Sequence, residues 1–490
     1  MENTNFNLTT PVLQNISWSG GVKTTLSLLC DKVLNYSAKV YIQKITPVQN
    51  AVKVNLRVAI TVAFEGEDQV VDTYQSAAEY PVEIANEQIS ENSLVNLYAS
   101  CSQINLVKVD ENYEMSGLIN LYGHFFTYEQ TQGASSFDRI ICKKEQVNCI
   151  NFKGNVFSEC DIEGDKNLTY LAGKIISHES IIKINSSTPS VGEILVEGEI
   201  ISDFCIVKKD GETTRESFVL PFKYELDCQN CTTDDKVQLF SRISGAYFKV
   251  VNDENQNYSQ LTVTFNLNFS GILYENCNVD IVTDCFSPEY FITAEKQFLT
   301  FTSNVISNTV KQRVFGQAIC ELEKECNLLS LLNGEICNFN YLTVDNQLQI
   351  SGEIIANLHF ERQNENVVKS AELPFSLDLP IKDNIMLCSI DKHSLTARMQ
   401  DDKLFLECDI IITLQTRQDE QLLSCVSFLQ GEKLPQDDSA VNVIFIRKGE
   451  DLWSVCKKAK VSQEQLVNQN PQNVFPAEKD DYIMVYKQIN

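Results

Sequence analysis

The chain has 490 residues, which is too long for one hydrophobic core, so several domains of about 100–150 residues each are expected. Apolar residues make up 43% and charged residues 22%, a composition typical of a globular protein and not of a disordered one. The formal net charge is −26, and residues 1–440 carry −27 because the last fifty residues hold seven basic and six acidic side chains. Such an acidic body excludes a general affinity for nucleic acids or for anionic membrane surfaces.

The N-terminus, Met1–Asn5, lacks the basic start and the apolar core of a signal peptide. No segment approaches about eighteen uninterrupted apolar residues, the length that a membrane-spanning helix needs. We therefore expect a cytoplasmic protein, whose seventeen cysteines are thiols and not a disulfide framework.

After a polar lead of about twenty residues, Leu26–Val33 is predicted to form a short helical turn. The first strong strand is Val54–Phe64, where apolar and polar or small residues alternate strictly, as in a half-buried antiparallel strand. A polar turn at 66–69 follows, and then a second strand that runs to Tyr80–Pro81.

Two later segments repeat this strand, turn and strand pattern with the same residues. Gly198–Glu199 leads to Leu220–Phe222, and Gly352–Glu353 leads to Leu373–Phe375. Both second segments read Leu-Pro-Phe, and the glycine precedes the proline by 23 residues in one copy and by 22 in the other. Recurrence at this spacing indicates tandem repeats.

In the first copy the interval from Val58 to Pro81 is also 23 residues, which predicts a third repeat. Each copy also has a second half with alternating strands, at 261–269 and 404–414, with a partial echo at 115–122. At least four strands per copy predict a mainly β chain of three sandwich-like domains. Their expected ranges are 1–150, 151–305 and 306–435.

The repeats resemble SPOCS domains, which occur in proteins of spore-forming Firmicutes. The resemblance is carried by the Gly-Glu strand and the Leu-Pro-Phe step, and Val282–Ser287 is similar to the Asp-Ala-Phe-Ser segment of that family. The first copy is the most divergent, since it keeps only Tyr80–Pro81 and the alternating strand.

Residues 441–487 predict a separate small unit with the order strand, helix, helix, strand. Leu452, Val455, Cys456 and Ala459 fall on one face of the first helix, and Ser462 with Gln465 three residues later marks the start of the second. This unit resembles a LysM domain. The matching residues, in order and spacing, are Lys448, Gly449, Leu452, Trp453, Val455, Val461, Ser462, Leu466, Asn470 and Pro471.

LysM domains usually bind glycans that contain N-acetylglucosamine, in a groove between the first turn and the loop after the second helix. The resemblance implies that a docking or glycan groove here is formed by Gly449, Glu450, Asp451, Leu452, Trp453, Asn468, Asn470 and Pro471. The turn that is commonly Pro-Gly-Gln in the family reads Pro476–Lys479, followed by Asp480 and Asp481, and we include these two aspartates in the candidate surface. Loss of the glycine and gain of acid favour a protein ligand over a glycan.

The sequence contains no recognisable motif for catalysis or metal binding. The four histidines lie outside zinc-binding motifs, and Cys228 and Cys231 form a single C-x-x-C without the second pair that a four-ligand site needs. No glycine-rich phosphate loop and no nucleophile elbow occur in the sequence. We therefore expect no enzyme activity, no cofactor and no metal.

Three SPOCS-like domains followed by one LysM-like domain resemble the layout of spore-coat morphogenetic proteins. The resemblance implies a non-enzymatic scaffold in the mother cell that anchors the coat at the forespore surface. Its implied partner is the ATPase of the coat's basement layer, stage IV sporulation protein A. The alternative is a protein that binds peptidoglycan or spore cortex through the LysM-like domain.

Overall fold

A computed structural model describes residues 4–30, 32–66, 71–253, 258–320, 326–362, 365–381, 383–435 and 441–486. Within these ranges the protein is mainly β, as expected, with two short helices that both lie in the C-terminal tail. The strands before the tail form three units of six. The first unit contains β1 (Thr4–Leu26), β2 (Val33–Val48), β3 (Ala51–Glu65), β4 (Val71–Ala85), β5 (Leu94–Val109) and β6 (Asn112–Ser136).

The second and third units follow directly. The second contains β7 (Ile141–Leu168), β8 (Ala172–Ser190), β9 (Glu193–Lys208), β10 (Thr213–Asp227), β11 (Lys236–Asp253) and β12 (Tyr258–Phe286). The third contains β13 (Tyr290–Gln317), β14 (Asn327–Val344), β15 (Gln347–Arg362), β16 (Glu365–Pro380), β17 (Asn384–Gln400) and β18 (Lys403–Lys433).

All three units share one topology. The first, sixth and fifth strands form one antiparallel sheet, in the orders β1-β6-β5, β7-β12-β11 and β13-β18-β17. The second, third and fourth strands form the other sheet, and the two sheets of each unit enclose a hydrophobic core. The expected domain limits at 150 and 305 fall inside β7 and β13, whereas the hydrogen-bonded units begin at Ile141 and Tyr290.

Cross-strand pairing explains the repeated sequence motif. Gly198 on β9 lies opposite Phe222 on β10, and Gly352 on β15 lies opposite Phe375 on β16. A Cβ atom on Gly352 would lie 2.8 Å from Cζ of the Phe375 ring, and one on Gly198 would lie 2.7 Å from Cζ of the Phe222 ring and 2.5 Å from the Lys183 carbonyl oxygen. The glycine is therefore needed because a phenylalanine ring, and at Gly198 also a neighbouring carbonyl, occupies the space of its missing side chain. The proline of each Leu-Pro-Phe step lies on an edge strand, where a missing N–H is tolerated.

The first unit uses a different residue pair at this place. Pro81 lies opposite Asn55, so the residue that corresponds to the glycine is Val54, and Val54 lies opposite Val82. The spacing argument from Val58 is therefore wrong in register, because Val58 lies opposite Ala78. Two medium-sized side chains replace one ring and one glycine, which explains why the first copy lacks the motif.

The predicted polar lead and helical turn are also corrected. Strand β1 covers the lead and pairs with β6 along its whole length, from Thr4 to Leu26. Leu26 ends this strand, residues 27–30 have no regular structure, and Val33 begins β2. The buried residues Leu8, Ile16 and Val22 are separated by partly exposed positions, so the period-two signal is weak although they share one face of the strand.

The first, fifth and sixth strands of the three units pack against one another. Three small hydrophobic clusters lie along them, and each cluster combines residues of all three units. The contributing residues include Phe126, Ile272 and Leu387 in the first cluster, Leu8, Ile281 and Phe301 in the second, and Phe137, Cys285 and Cys425 in the third. This packing joins the three units into one body.

Candidate functional site: the C-terminal tail and its seat on the second unit

The tail consists of β19 (Val441–Ile446), α1 (Leu452–Ala459), α2 (Gln463–Gln469) and β20 (Asp481–Tyr486), with β19 and β20 paired antiparallel. Helix α1 begins after Asp451, whose side chain accepts a hydrogen bond from the Ser454 N–H at 2.9 Å. Helix α2 begins after Ser462, whose hydroxyl oxygen accepts from the Gln465 N–H at 3.1 Å. Both caps satisfy N–H groups that have no partner within the helix. The predicted order of strand, helix, helix and strand is therefore present.

Asn470, a candidate site residue, is buried and supports the fold of the tail. Its Nδ2 donates to the carbonyls of Leu466 at 3.1 Å and Met484 at 2.7 Å. Its Oδ1 accepts from the Met484 N–H at 2.9 Å. The amide thus connects the end of α2 to β20 and leaves little capacity for a ligand. Its neighbours Asn468 and Pro471 are exposed.

The two sides of the expected groove are joined by backbone hydrogen bonds. Gly449 has a φ of +84°, which favours glycine, and its N–H donates to the Ala477 carbonyl at 2.7 Å. The Ala477 N–H donates to the Glu450 carbonyl at 3.0 Å. The turn after β19 and the loop after α2 are therefore tied to each other in the described structure.

Acidic side chains of the candidate surface have partners within the tail. The Glu450 carboxylate contacts Lys458 and accepts from the Arg447 N–H at 3.0 Å, and chiefly the Lys458 contact lowers the pKa of Glu450. Asp480 Oδ1 accepts from the Lys448 N–H at 2.8 Å. These carboxylates hold the two turns in place.

Trp453 is turned toward the body of the protein and not toward the groove. Only 6% of its surface is exposed. Its Nε1 donates to Asp284 Oδ2 on β12 at 2.7 Å, and its ring centroid lies 5.2 Å from that of Phe286. Leu452 packs partly buried beside the same cluster. The tryptophan therefore anchors the tail on the second unit.

Asp284 is the electrostatic centre of this anchor. Lys457 Nζ lies 2.8 Å from its Oδ2 and Lys296 Nζ lies 3.3 Å from its Oδ1. Burial acts to raise the pKa of Asp284, but hydrogen bonds from Lys457 and Trp453, and the charges of both lysines, lower it to about 2. The carboxylate thus links α1 to β12 and to the start of β13.

The segment that resembles Asp-Ala-Phe-Ser forms the seat of the tail. Phe286 is buried in the hydrophobic core of the tail, and Lys460 Nζ lies 5.8 Å from its ring centroid. Ser287 Oγ accepts from the N–H groups of Glu289 at 3.1 Å and Tyr290 at 3.2 Å, which turns the chain from β12 into β13. Sequence reasoning did not select Asp284 as a site residue, although the motif that contains it was visible.

The outer face of the tail sheet is apolar and uncovered in the described structure. Val441, Val443 and Phe445 on β19 lie opposite Tyr486, Met484 and Tyr482 on β20. All six side chains are between 42% and 62% exposed, and the rings of Phe445 and Tyr482 lie 5.2 Å apart. We refer to these six residues as the outer face. The alternate residues of both strands fill the core of the tail, which accounts for the period-two pattern.

Within the described ranges, neither helix is long and apolar enough to cross a membrane. The same ranges contain no group of three or more histidine, cysteine or acidic side chains placed to hold a metal ion. Cys228 and Cys231 lie in a turn against the core of the second unit, and burial raises the pKa of both thiols. No protein-family model matches the chain, and neither a curated protein nor a solved structure matches it.

Proposed function

We propose that the chain is a non-enzymatic scaffold of the endospore coat that docks a protein partner through the outer face of its LysM-like tail. The observation that carries this proposal is the outer face itself, six apolar side chains on a two-stranded sheet that nothing covers within the described residues. Soluble proteins rarely expose large contiguous apolar patches, and where such patches occur they usually mark an interaction site. The resemblance of the repeats to SPOCS domains and of the tail to a LysM domain implies the coat ATPase, stage IV sporulation protein A, as the partner, and the forespore surface in the mother cell as the place.

The anchoring of the tail supports a docking role. Trp453, Lys457 and Phe286 hold α1 against the second unit, so the outer face is presented in a defined orientation. A pre-ordered surface loses less entropy on binding than a mobile one. The three-unit body then acts as a large rigid support for one docking surface.

Features of the expected glycan groove favour a protein ligand. Trp453 and Asn470 are occupied by contacts inside the protein. The turn at Gly449 is joined to Ala477 by backbone hydrogen bonds. Binding of peptidoglycan or cortex is the alternative, and it predicts dependence on the exposed rim residues Asn468 and Pro471.

The test uses full-length protein with the double substitution Phe445→Ser and Tyr482→Ser. These two exposed rings face each other across the tail sheet. The matched control is Phe298→Ser with Leu423→Ser, an exposed apolar pair that is also cross-strand but lies on the body. Co-purification with the coat ATPase should be lost in the tail variant and retained in the control.

Thermal unfolding of both variants checks that they fold as the parent does. Undiminished capture of the ATPase by the tail variant would contradict docking through the outer face. Sedimentation with purified peptidoglycan separates the alternative, since co-sedimentation that depends on Asn468 and Pro471 would indicate a glycan tether.

A further inference from the structure

A second candidate site, which shares no lining residue with the tail, lies in a crevice between the first and third units. It is lined by β1, β5 and β6 of the first unit and by β14 and β17 of the third. Its volume is about 340 Å³. This lies at the lower end of the roughly 300–1,000 Å³ that small-molecule sites occupy.

One wall of the crevice is a continuous row of aromatic rings. Tyr98 and Tyr122 stack with centroids 5.6 Å apart, and Phe339 meets Tyr122 edge-on at 6.5 Å. Tyr341 lies 6.0 Å beyond Phe339. The Tyr122 hydroxyl donates to the Ile336 carbonyl at 2.6 Å, which fixes the row across the two units.

The position of Phe339 in this row depends on an irregular strand. Pairing of β14 with β15 is interrupted between Cys337 and Asn340, and Asn338 has a φ of +52°. A non-glycine residue in this conformation is uncommon, and bulges of this kind often redirect side chains at binding sites. The interruption places Phe339 against Tyr122 and leaves Asn338 and Asn340 exposed at the mouth of the crevice.

Beside this row, the same sheet of the first unit offers neutral hydrogen-bonding groups, since Ser17 on β1 lies directly opposite Tyr122 on β6 in the strand pairing. Asn15, Ser17 and Ser19 occupy alternate positions of β1, so they share one face, and all three are exposed. The Ser19 hydroxyl donates to Asn120 Oδ1 at 2.7 Å, and Asn120 Nδ2 donates to Ser102 Oγ at 3.2 Å. Amides and hydroxyls of this kind can donate and accept hydrogen bonds.

The lining carries no charge near neutral pH. The described residues that line it include no lysine, arginine, aspartate or glutamate, although the carboxyl groups of Glu335 and Asp391 lie near enough to act on the Tyr122 hydroxyl. His124 is its one imidazole, and burial lowers the pKa of this group to about 3, so it is neutral. Burial also raises the pKa of Tyr98, Tyr122 and Tyr341. With a net charge of −26, the protein as a whole disfavours anionic ligands.

We propose that this crevice binds a neutral saccharide. The C–H face of a sugar ring packs against aromatic rings, and its hydroxyls both donate to and accept from amides, which matches the aromatic row and the polar groups beside it. An anionic ligand would find no counter-charge in the lining, and a purely apolar one would leave the asparagine groups without partners. This site is independent of the docking role proposed for the tail.

The test uses the full-length protein and neutral oligosaccharides, namely chitotetraose, cellotetraose and maltotetraose, with tetragalacturonate as an anionic counterpart. Binding is measured by titration calorimetry and by saturation-transfer NMR. The crevice variants are Phe339→Ala and Asn340→Ala, of which the second changes an exposed side chain and should not disturb folding. The control variant Asn308→Ala changes an exposed asparagine of β13 outside the lining, and the tail variant Asn468→Ala tests whether the tail contributes to binding.

At least one neutral oligosaccharide should bind, and each crevice variant should weaken it by about tenfold, the effect of losing a ring contact or a hydrogen bond. Asn308→Ala should bind as the parent does. The proposal is overturned if none of the neutral probes binds or if tetragalacturonate binds more tightly. It is also overturned if binding is lost only in the tail variant or is unchanged by both crevice substitutions.

Discussion

Replacing Asp284 by asparagine should loosen the tail from the body while both remain folded. The amide keeps the shape of the side chain and one oxygen that can accept from Trp453 Nε1. It loses the charge that interacts with Lys457 and Lys296. The substitution therefore isolates the electrostatic part of the anchor.

The shift in the pKa of Asp284 gives the size of the effect. Its fall from 3.8 to about 2 corresponds to about 2 kcal/mol, since one pKa unit equals about 1.4 kcal/mol. Screening is moderate because the Asp284 side chain is 22% exposed. Because Lys296 lies on the body and stays beside Asp284 when the tail undocks, the share of the tail is about 1–2 kcal/mol, and its loss changes the ratio of docked to undocked tail by about five- to thirtyfold.

Trp453 itself reports this equilibrium once Trp18 is replaced by phenylalanine, since the chain has two tryptophans. In a urea titration, the emission of Trp453 should shift to the red at lower urea in Asp284→Asn than in the parent. The control is Asp280→Asn, an exposed aspartate on the same strand. Coincident Trp453 transitions in the parent and in Asp284→Asn would refute the anchoring role of this carboxylate.

Three further predictions concern pH, the repeats and the thiols. The pKa of Asp284 is lowered on folding, so the stabilisation that its carboxylate provides is present above pH 3.8 and is lost as the pH falls toward 2. The emission of Trp453 should therefore shift to the red on acidification of the parent, and far less in Asp284→Asn. Gly352→Val should lower the free energy of unfolding by about 1–3 kcal/mol, and adding Phe375→Val should restore part of it in a denaturant titration, whereas equal losses in single and double variants would contradict the ring-packing explanation. Cys149 and Cys277 lie opposite each other with their Sγ atoms 3.3 Å apart. Hydrogen peroxide should therefore join them by an intramolecular disulfide, which peptide mapping would detect and which Cys149→Ser would abolish. Intermolecular disulfides as the main product would count against this pairing.

Strands were predicted best from the sequence where one face of the strand is buried and the other is exposed to solvent. Val54–Phe64 lies within β3, whose alternation is strict because every second residue enters the core of the first unit. Strand β1 was missed because few of its residues are buried and its partner β6 is more than ninety positions away in places. Local pattern cannot reveal pairing that distant residues supply.

The repeated Gly-Glu and Leu-Pro-Phe motif was visible in the sequence, but its cause was not. The glycine and the phenylalanine are matched across two strands, and the 23-residue interval reflects the length of the hairpin that brings them together. In the first unit the hairpin has a different length, so the same interval from Val58 selects the wrong residue. Spacing therefore identifies the corresponding residues only where both repeats contain the glycine and phenylalanine that lie opposite each other.

In the tail, too, features set by nearby residues could be predicted from the sequence, whereas a contact with a distant residue could not. Its helices follow from local periodicity and from caps such as Ser462. The direction of Trp453 does not, because its hydrogen-bond partner lies 169 residues earlier in the chain. A tryptophan that matches a family motif can thus serve the interior of this protein and not its ligand surface.

The contacts between the tail and the second unit change how the proposed docking role should be tested. Deleting residues 441–487 would expose Phe286, which is 2% exposed in the intact protein, and would remove two of the donors from Asp284. The damaged body could then fail to bind a partner even if the tail never touches that partner. Substitutions on the outer face leave Phe286 and Asp284 in place, because Phe445 and Tyr482 point away from the core of the tail. Loss of binding in the Phe445→Ser and Tyr482→Ser variant therefore identifies the docking surface, whereas loss after deletion does not.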